Sequence, residues 1–300
     1  MISICIPIYD NYTYPLVRRL VTQTANADKD DYEIVCIDDH SSGYYITQNQ
    51  GIAEIATYVK LDENVGRAKI RNLFLKYTKG EYLLFLDCDS LVPDRFLQGY
   101  AKTLARKPEV VVGGRVYDKT FDDREHQLRY LYGTKVESRP LEARLKEPYR
   151  SFMTNNFMVR RDVLERIPFD ESITKYGHED TLFGYRLEQN RIPIMHIDNA
   201  VVNGKVEDNA EFLHKTVEAV ENLAEIYDNM WEDQRFCHSV KLLKTYGRVR
   251  RLGLTALVYR IFLLFKTPLE SHFVNGNAIS INQFAFYKLG LFIKQLHYNN

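Results

Sequence analysis

Cysteine is scarce in this chain, and what there is lies scattered. Cys5, Cys36, Cys88 and Cys237 share no C-x-x-C spacing, so neither a disulfide framework nor a zinc ribbon is written into the sequence. The first three sit in or beside apolar runs, where a free thiol acts as a small hydrophobe, and a reducing cytoplasm is the expected compartment. No uncharged apolar run reaches the roughly 18 to 20 residues that a membrane span needs. No basic segment precedes the first apolar stretch, which Pro7 and Asp10 interrupt, so a first strand is expected there rather than a secretion signal, and the sequon at Asn11 is idle. The phosphate-cradling motifs G-x-G-x-x-G and G-x-x-x-x-G-K-[ST] are missing, as are internal repeats and low-complexity tracts. Net charge is missing too. Forty Lys and Arg balance forty Asp and Glu, which argues against a chain built to coat nucleic acid.

What is present suits a large core: 300 residues, 45% apolar and 27% charged, enough for one large or two modest domains and far from disordered or collagen-like composition. The first half alternates strand and helix patterns. Ile2 to Ile8 alternate apolar with small residues, and Ile34 to Ile37, Tyr82 to Leu86 and Val110 to Val112 are short continuous apolar runs, as strands covered on both faces require. Between them, Leu16, Val17, Leu20 and Val21, then Ile70, Leu73, Phe74 and Tyr77, then Phe96, Leu97, Tyr100 and Leu104 repeat at helical spacing. This order predicts a doubly wound α/β sheet, whose ligands gather beyond the carboxyl ends of the strands. From Tyr117 to Arg150 the pattern dissolves into charges and aromatics, which predicts a long mobile connection, followed by a polar loop at Thr154 to Asn156. Helices are expected at Arg161 to Arg166, Asp180 to Gln189 and Asn209 to Met230, a strand at Ile194 to Ile197, and helix again in the tail.

The strand at Tyr82 runs straight into Asp87-Cys88-Asp89. Residues i and i+2 of an extended chain leave on one side, so the two carboxylates can share a hard divalent cation that in turn carries phosphate oxygens. Acidic residues after a strand also serve merely to cap the next helix. The pair has company: Pro7-Ile8-Tyr9-Asp10 ends the first strand, Asp38-Asp39 the second, Gly66 to Asn72 opens a helix, and Gly177-His178-Glu179-Asp180 opens another.

This ordered set resembles family 2 glycosyltransferases over roughly residues 1–202. The resemblance implies a GT-A fold, a Rossmann-like mostly parallel sheet with helices on both faces, over a catalytic domain 1–204, with a nucleotide-sugar half to about 115 and an acceptor half from about 116. A helical, basic extension 205–300 follows. It further implies that Pro7 and Tyr9 border the nucleotide, that Asp39 accepts from the uracil N3–H, and that Arg71 approaches the donor. Asp87 would contact ribose or sugar hydroxyls, and Asp89 would hold Mn²⁺ or Mg²⁺. Asp180 would be the general base and Glu179 an acceptor-positioning group, with Asn155, Asn156 and His178 on the acceptor side. Many members complete the metal site with a His where this chain has Asn203, a neutral amide and a weaker ligand. Cys88 and His196 are expected to be packing residues.

The activity so implied is inverting transfer of a sugar from a nucleotide diphosphate, UDP first, to a hydroxyl of a saccharide or lipid-linked saccharide in surface polysaccharide or glycolipid synthesis. Two alternatives stand beside it: a degenerate transferase that only binds nucleotide sugar or scaffolds, and a haloacid-dehalogenase-type phosphatase using Asp87 and Asp89. Charge is also unevenly spread. From Val240 onward nine Lys and Arg face Glu270 alone, and the apolar residues from Leu252 to Phe265 lie among them. One reading packs these residues against the catalytic domain with a solvated basic face. The other attaches the tail peripherally to an anionic membrane on its cytoplasmic side.

Overall fold

The computed structural model describes residues 1–25, 31–118, 123–276 and 278–298. Two compact units emerge: Met1–Asp118, Ser138–Thr174 and Glu179–Lys205 form the first, and Lys119–Glu137, Lys175–His178 and Val206–Asn300 the second. In chain order the elements of the first are β1 (Ile2–Ile8), α1 (Tyr14–Thr24), β2 (Tyr32–Asp38), α2 (Gly43–Asn49), β3 (Thr57–Lys60), α3 (Arg67–Tyr77), β4 (Tyr82–Leu86), β5 (Ser90–Leu91), α4 (Phe96–Ala101), β6 (Val110–Val112) and β7 (Arg115–Val116). After α5 (Gln127–Tyr132), which belongs to the second unit, come α6 (Leu141–Lys146), β8 (Asn156–Arg160), α7 (Arg161–Arg166), α8 (Glu179–Gln189), β9 (Ile194–His196) and β10 (Val201–Asn203).

The main sheet has the order β3-β2-β1-β4-β8-β6-β9. β1 is central because nearly every residue in it is apolar and buried, and it pairs in parallel with β2 and β4. Helices cover both faces. Ile4, Leu84 and Met158 point into a core with α1 and α4, while Cys5, Phe85 and Phe157 point into another with α3 and α7. One strand is reversed: β8 runs antiparallel to both β4 and β6. Its apolar stretch is only Phe157-Met158-Val159, too short to stand out beside the polar Thr154 to Asn156, and the expected loop is a central strand from Asn156 onward. A second sheet, β5-β10-β7, was also not legible, since two- and three-residue strands leave no period to read.

The expectation of a mobile connection from Tyr117 to Arg150 is corrected within the described residues. α5 and α6 lie there, each fixed by a buried arginine. Arg144 donates to the carbonyls of Val112, Gly113 and Ile197, so a side chain that reads as solvent-facing serves as a tether.

In the second unit, Asp208 caps α9 (Asn209–Met230) by accepting from Glu211 N, as an N-terminal Asp should. α10 (Gln234–Ser239), α11 (Lys241–Arg251), α12 (Thr255–Asn275) and α13 (Ile281–His297) follow. Phe273 meets Phe284 and Tyr287 edge to face at the centre, and Phe212 packs tilted against Phe284. Gly290 sits where α13 meets the Phe262 ring, which occupies the place a Cβ would need. Arg129 lies buried between Glu137 and Glu207, at 3.0 and 2.8 Å, over the Phe212 ring. Burial alone would raise the Glu207 carboxyl, but Arg129 and Lys215 overcome it and hold the group near 2.

Candidate active site

Because β1, β2 and β4 are parallel, their carboxyl ends open on one edge, and that edge is acidic. Asp39 N donates to the Ile8 carbonyl, and Asn11 donates to the Cys88 carbonyl, so the three strand ends are tied together. Asp10 and His40 adopt left-handed backbone conformations there, with φ of 43° and 63°. Such conformations are costly for residues with a Cβ and collect at functional sites. Tyr9 is exposed beside them and Pro7 half-buried.

Asp38 is internal, accepting from Ser41 N and the Tyr58 hydroxyl. Asp39 spends one oxygen on Val65 N at 2.7 Å and the other on Gly66 N at 3.1 Å. It thereby fixes the loop into α3, where Gly66 takes a φ of 82°. Burial raises its carboxyl while those two N–H groups oppose the rise.

The half-buried run Asp87-Cys88-Asp89 leaves β4 toward β5. Burial, with the charges of Asp89 and Asp87 adding to it, pushes the Cys88 thiol up to about 12. Cys88 packs against the core, and the ligating atoms offered at this turn are carboxylate oxygens, which hard divalent cations favour. Asn203 comes next to them, because β10 pairs it with Ser90 and Gly204 N bonds the Asp89 carbonyl. Its amide is engaged at both ends, the oxygen accepting from Arg115 and the nitrogen donating to the Lys205 carbonyl.

Arg71 is the hub. Only 2% of its side chain is exposed, and it lies 3.5 Å from Asp87 and 3.4 Å from Glu179, 108 residues further along the chain. Burial pushes its guanidinium down, while Glu179 and Asp87 push back. Arg67 approaches the same Glu179 at 3.8 Å, and Arg115 stands 4.0 Å from Asp87. A single guanidinium thus joins the end of β4 to the start of α8. There Asp180 accepts from Thr181 N, in the first turn where a helix favours negative charge. Burial pushes the Asp180 carboxyl up to about 7, with the charge of Glu179 adding to the rise. Among the described residues, the buried donors Arg71 Nε and Asn155 Nδ2 have no hydrogen-bond partner, although such groups are almost always satisfied.

The remaining expected residues separate. Asn155 binds Asp87 N through its carbonyl. Asn156 is fully buried, its oxygen taken by Tyr100 and its nitrogen shared between the Gly114 and Asn199 carbonyls. His178 belongs to the second unit and takes a left-handed φ of 69°. His196 lies in β9, donating through Nε2 to the Pro148 carbonyl and accepting from Arg144 at Nδ1, and burial lowers it to about 4. Sequence reasoning overlooked Arg67 and Arg115. Arg115 had a signal: Gly113-Gly114-Arg115 directly follows an apolar strand, where this topology gathers ligands.

A mostly parallel α/β sheet with acidic strand ends, a reversed fifth-position strand and a small second sheet seated at the D-x-D is the GT-A fold. The chain belongs to glycosyl transferase family 2, whose model matches residues 3–168, and the phosphatase alternative falls with that. Among known proteins, it is 32% identical over 102 residues to a poly(ribitol-phosphate) beta-N-acetylglucosaminyltransferase, TarP, of Staphylococcus aureus, covering 32% of this chain and 31% of the relative. It is 26% identical over 236 residues to an uncharacterized glycosyltransferase, YfnE, of Bacillus subtilis, covering 62% and 60%. The chain spans less than two thirds of the length of the curated relatives it matches. A solved mannosyltransferase of Pyrobaculum calidifontis, in complex with GDP-Man and Mn²⁺, shares the fold, with a TM-score of 0.57 at 16% identity over 100% of this chain and 88% of its own.

Proposed function

We propose that the chain transfers a sugar, with inversion, from a nucleotide diphosphate, UDP first, to a hydroxyl of a saccharide or lipid-linked saccharide in surface polysaccharide or glycolipid synthesis. The observation that supports this reading is the Arg71 bridge, which joins Asp87, after β4, and Glu179, next to Asp180 at the start of α8, through one guanidinium. In this reading a base for the acceptor and a cradle for the donor adjoin.

In this reading Asp180 takes the proton from the acceptor hydroxyl. That oxygen attacks the anomeric carbon from the face opposite the nucleotide, the bond from that carbon to the diphosphate oxygen breaks, and the nucleoside diphosphate leaves. A carboxyl held near 7 is poised between protonated and free forms at neutral pH, as general-base catalysis favours. Asp89, with Asp87 beside it, would hold Mn²⁺ or Mg²⁺, which neutralises the leaving diphosphate when bound. Pro7, Tyr9 and Asp39 border the nucleotide, and Asn155 offers its unpartnered Nδ2 to a ligand hydroxyl. Arg115, anchored on Asn203, adds positive charge next to Asp87. Glu179 acts by holding Arg71 and Arg67, and Asn156 by fixing the strand crossing. The four free cysteines fit a reducing, cytoplasmic setting.

The test is a thermal-shift panel of UDP-, GDP- and dTDP-sugars with and without Mn²⁺, followed by nucleotide release with polyol-phosphate and lipid-linked saccharide acceptors. A ligand that binds only the folded state raises the melting point. UDP-sugars should do so only with metal, and Asp89→Asn should abolish the metal-dependent part. Undiminished metal-dependent UDP binding by Asp89→Asn would refute the ligand assignment. Metal-dependent binding with no release to any acceptor would favour the binding-protein alternative.

A further inference from the structure

α12 has two apolar faces, and among the described residues only one has a partner. Phe262 and Phe273 are fully buried on the inner side. On the opposite side Leu257, Ile261, Leu264 and Pro268 follow at i, i+4, i+7 and i+11, one continuous stripe. Leu257 is 54% exposed and Leu264 75%. The stripe continues into the elbow between α11 and α12, where Leu252 is 70% exposed. A helix that needed only to pack inward would carry polar residues on this outer face.

Charge accompanies the stripe. Arg248 and Arg251 end α11, and Arg260 lies one turn from both Leu257 and Leu264. All three are exposed, and no ion pair holds them among the described residues. The sole acid in the segment, Glu270, is already paired with Lys266 and accepts from the Tyr287 hydroxyl. No single described helix is long and apolar enough to cross a membrane, and α11 and α12, which together have the length, are bent by 119°.

We propose that the elbow and outer face of α12 are a docking surface for the headgroup and acyl boundary of a bilayer rich in anionic lipid, with the leucine stripe inserted and the arginines on lipid phosphates. An apolar stripe edged by arginine is the composition of a helix that lies in the interface plane, and arginine pairs with phosphate at short range. A second copy of the chain is a poorer occupant. A two-fold contact sets the same patch against itself, which brings unpaired arginines toward arginines and is costly. Nothing in the proposal depends on what the strand-end carboxylates bind.

The test is co-sedimentation of the full chain with vesicles of pure phosphatidylcholine and of an equimolar phosphatidylcholine and phosphatidylglycerol mixture. The chain should sediment with the mixed vesicles only, and molar salt should release it. Arg251→Ser should weaken partitioning about fivefold, the equivalent of about 1 kcal/mol for one headgroup contact. Leu257→Ser with Leu264→Ser should weaken it by about tenfold or more, with an unchanged melting point showing that the fold is intact. Equal recovery on both vesicle types would overturn the proposal. So would failure to sediment with either, and a concentration-dependent dimer lost in the double leucine variant would then assign the face to a second copy.

Discussion

The two units break the usual inside-outside rule in opposite ways. The first buries charge: Arg71, Glu179, Asp38 and Asp39 lie inside while their apolar neighbours are packed away. The second exposes hydrocarbon: Leu252 in the elbow and Leu257 and Leu264 on α12 face outward, although α12 already has a core side. Each inversion is expensive by itself, since buried charge must be paired and exposed apolar patches invite association. A polar cradle in the first unit suits a charged ligand, and an apolar elbow in the second suits a greasy one.

The largest effect should come from the first unit. Asp180→Asn should keep donor binding by calorimetry yet lower turnover by about 10² to 10⁴, the range for loss of a general base. The pH dependence gives the sign. The base acts as carboxylate, so kcat/KM should rise with pH through about 7 in the wild type, and this limb should vanish in the variant. A raised acid destabilises the fold as pH climbs from the unfolded value toward the folded one, so the same variant should melt higher than wild type at pH 8 and little differently at pH 4. Wild-type turnover by the folded variant would move the base elsewhere.

Next comes the hub. Arg71→Met leaves Glu179 buried without its main partner, which should cost about 3 to 5 kcal/mol by urea denaturation. Adding Glu179→Gln should restore most of it, because the loss is one of uncompensated charge. A double variant no better than the single would show that Arg71 matters for its packing on Phe169 instead.

The second unit supplies the opposite sign. Glu207 is held near 2, so its contribution is whole above its unfolded value and is lost as pH falls from about 4.5 toward 2. Glu207→Gln should cost on the order of 3 kcal/mol at pH 7 and nothing near pH 2, and calorimetry across that window checks it. The smallest effect is on the outer face of α12. Leu264→Ser should change stability by no more than about 0.5 kcal/mol, against about 3 to 5 kcal/mol for Phe262→Ala two residues away. A large loss at Leu264 would mean that its stripe has an internal partner after all.

How much of this was legible followed from how locally each feature is encoded. β1, β4, β6 and α9 were readable to the residue because a strand or helix buried on one or both faces writes its period into consecutive positions. The D-x-D and the α8 acids were readable for the same reason, each lying just past such an element. Arginine burial was not. Whether Arg71, Arg129 or Arg144 is inside depends on carboxylates or carbonyls far along the chain, and the local pattern around a buried guanidinium matches that around a solvated one. Asn156 misled in reverse: polar in sequence, it is spent wholly on Tyr100 and two carbonyls.

The reversed strand has a consequence for how the chain reaches this state. β8 is made after β6 yet must enter between β6 and β4, and among the described strands β6 neighbours only β8 and β9. Until residue 160 has left the ribosome, β4 presents an open apolar edge, the kind that templates pairing between nascent chains. A fragment ending at Asp118 would keep β3-β2-β1-β4 but leave β6 adrift, so it should aggregate rather than fold. Sheet closure therefore waits on late, long-range pairing, a slow step by its topology, and the active-site edge matures only when Asn155 arrives to clasp Asp87.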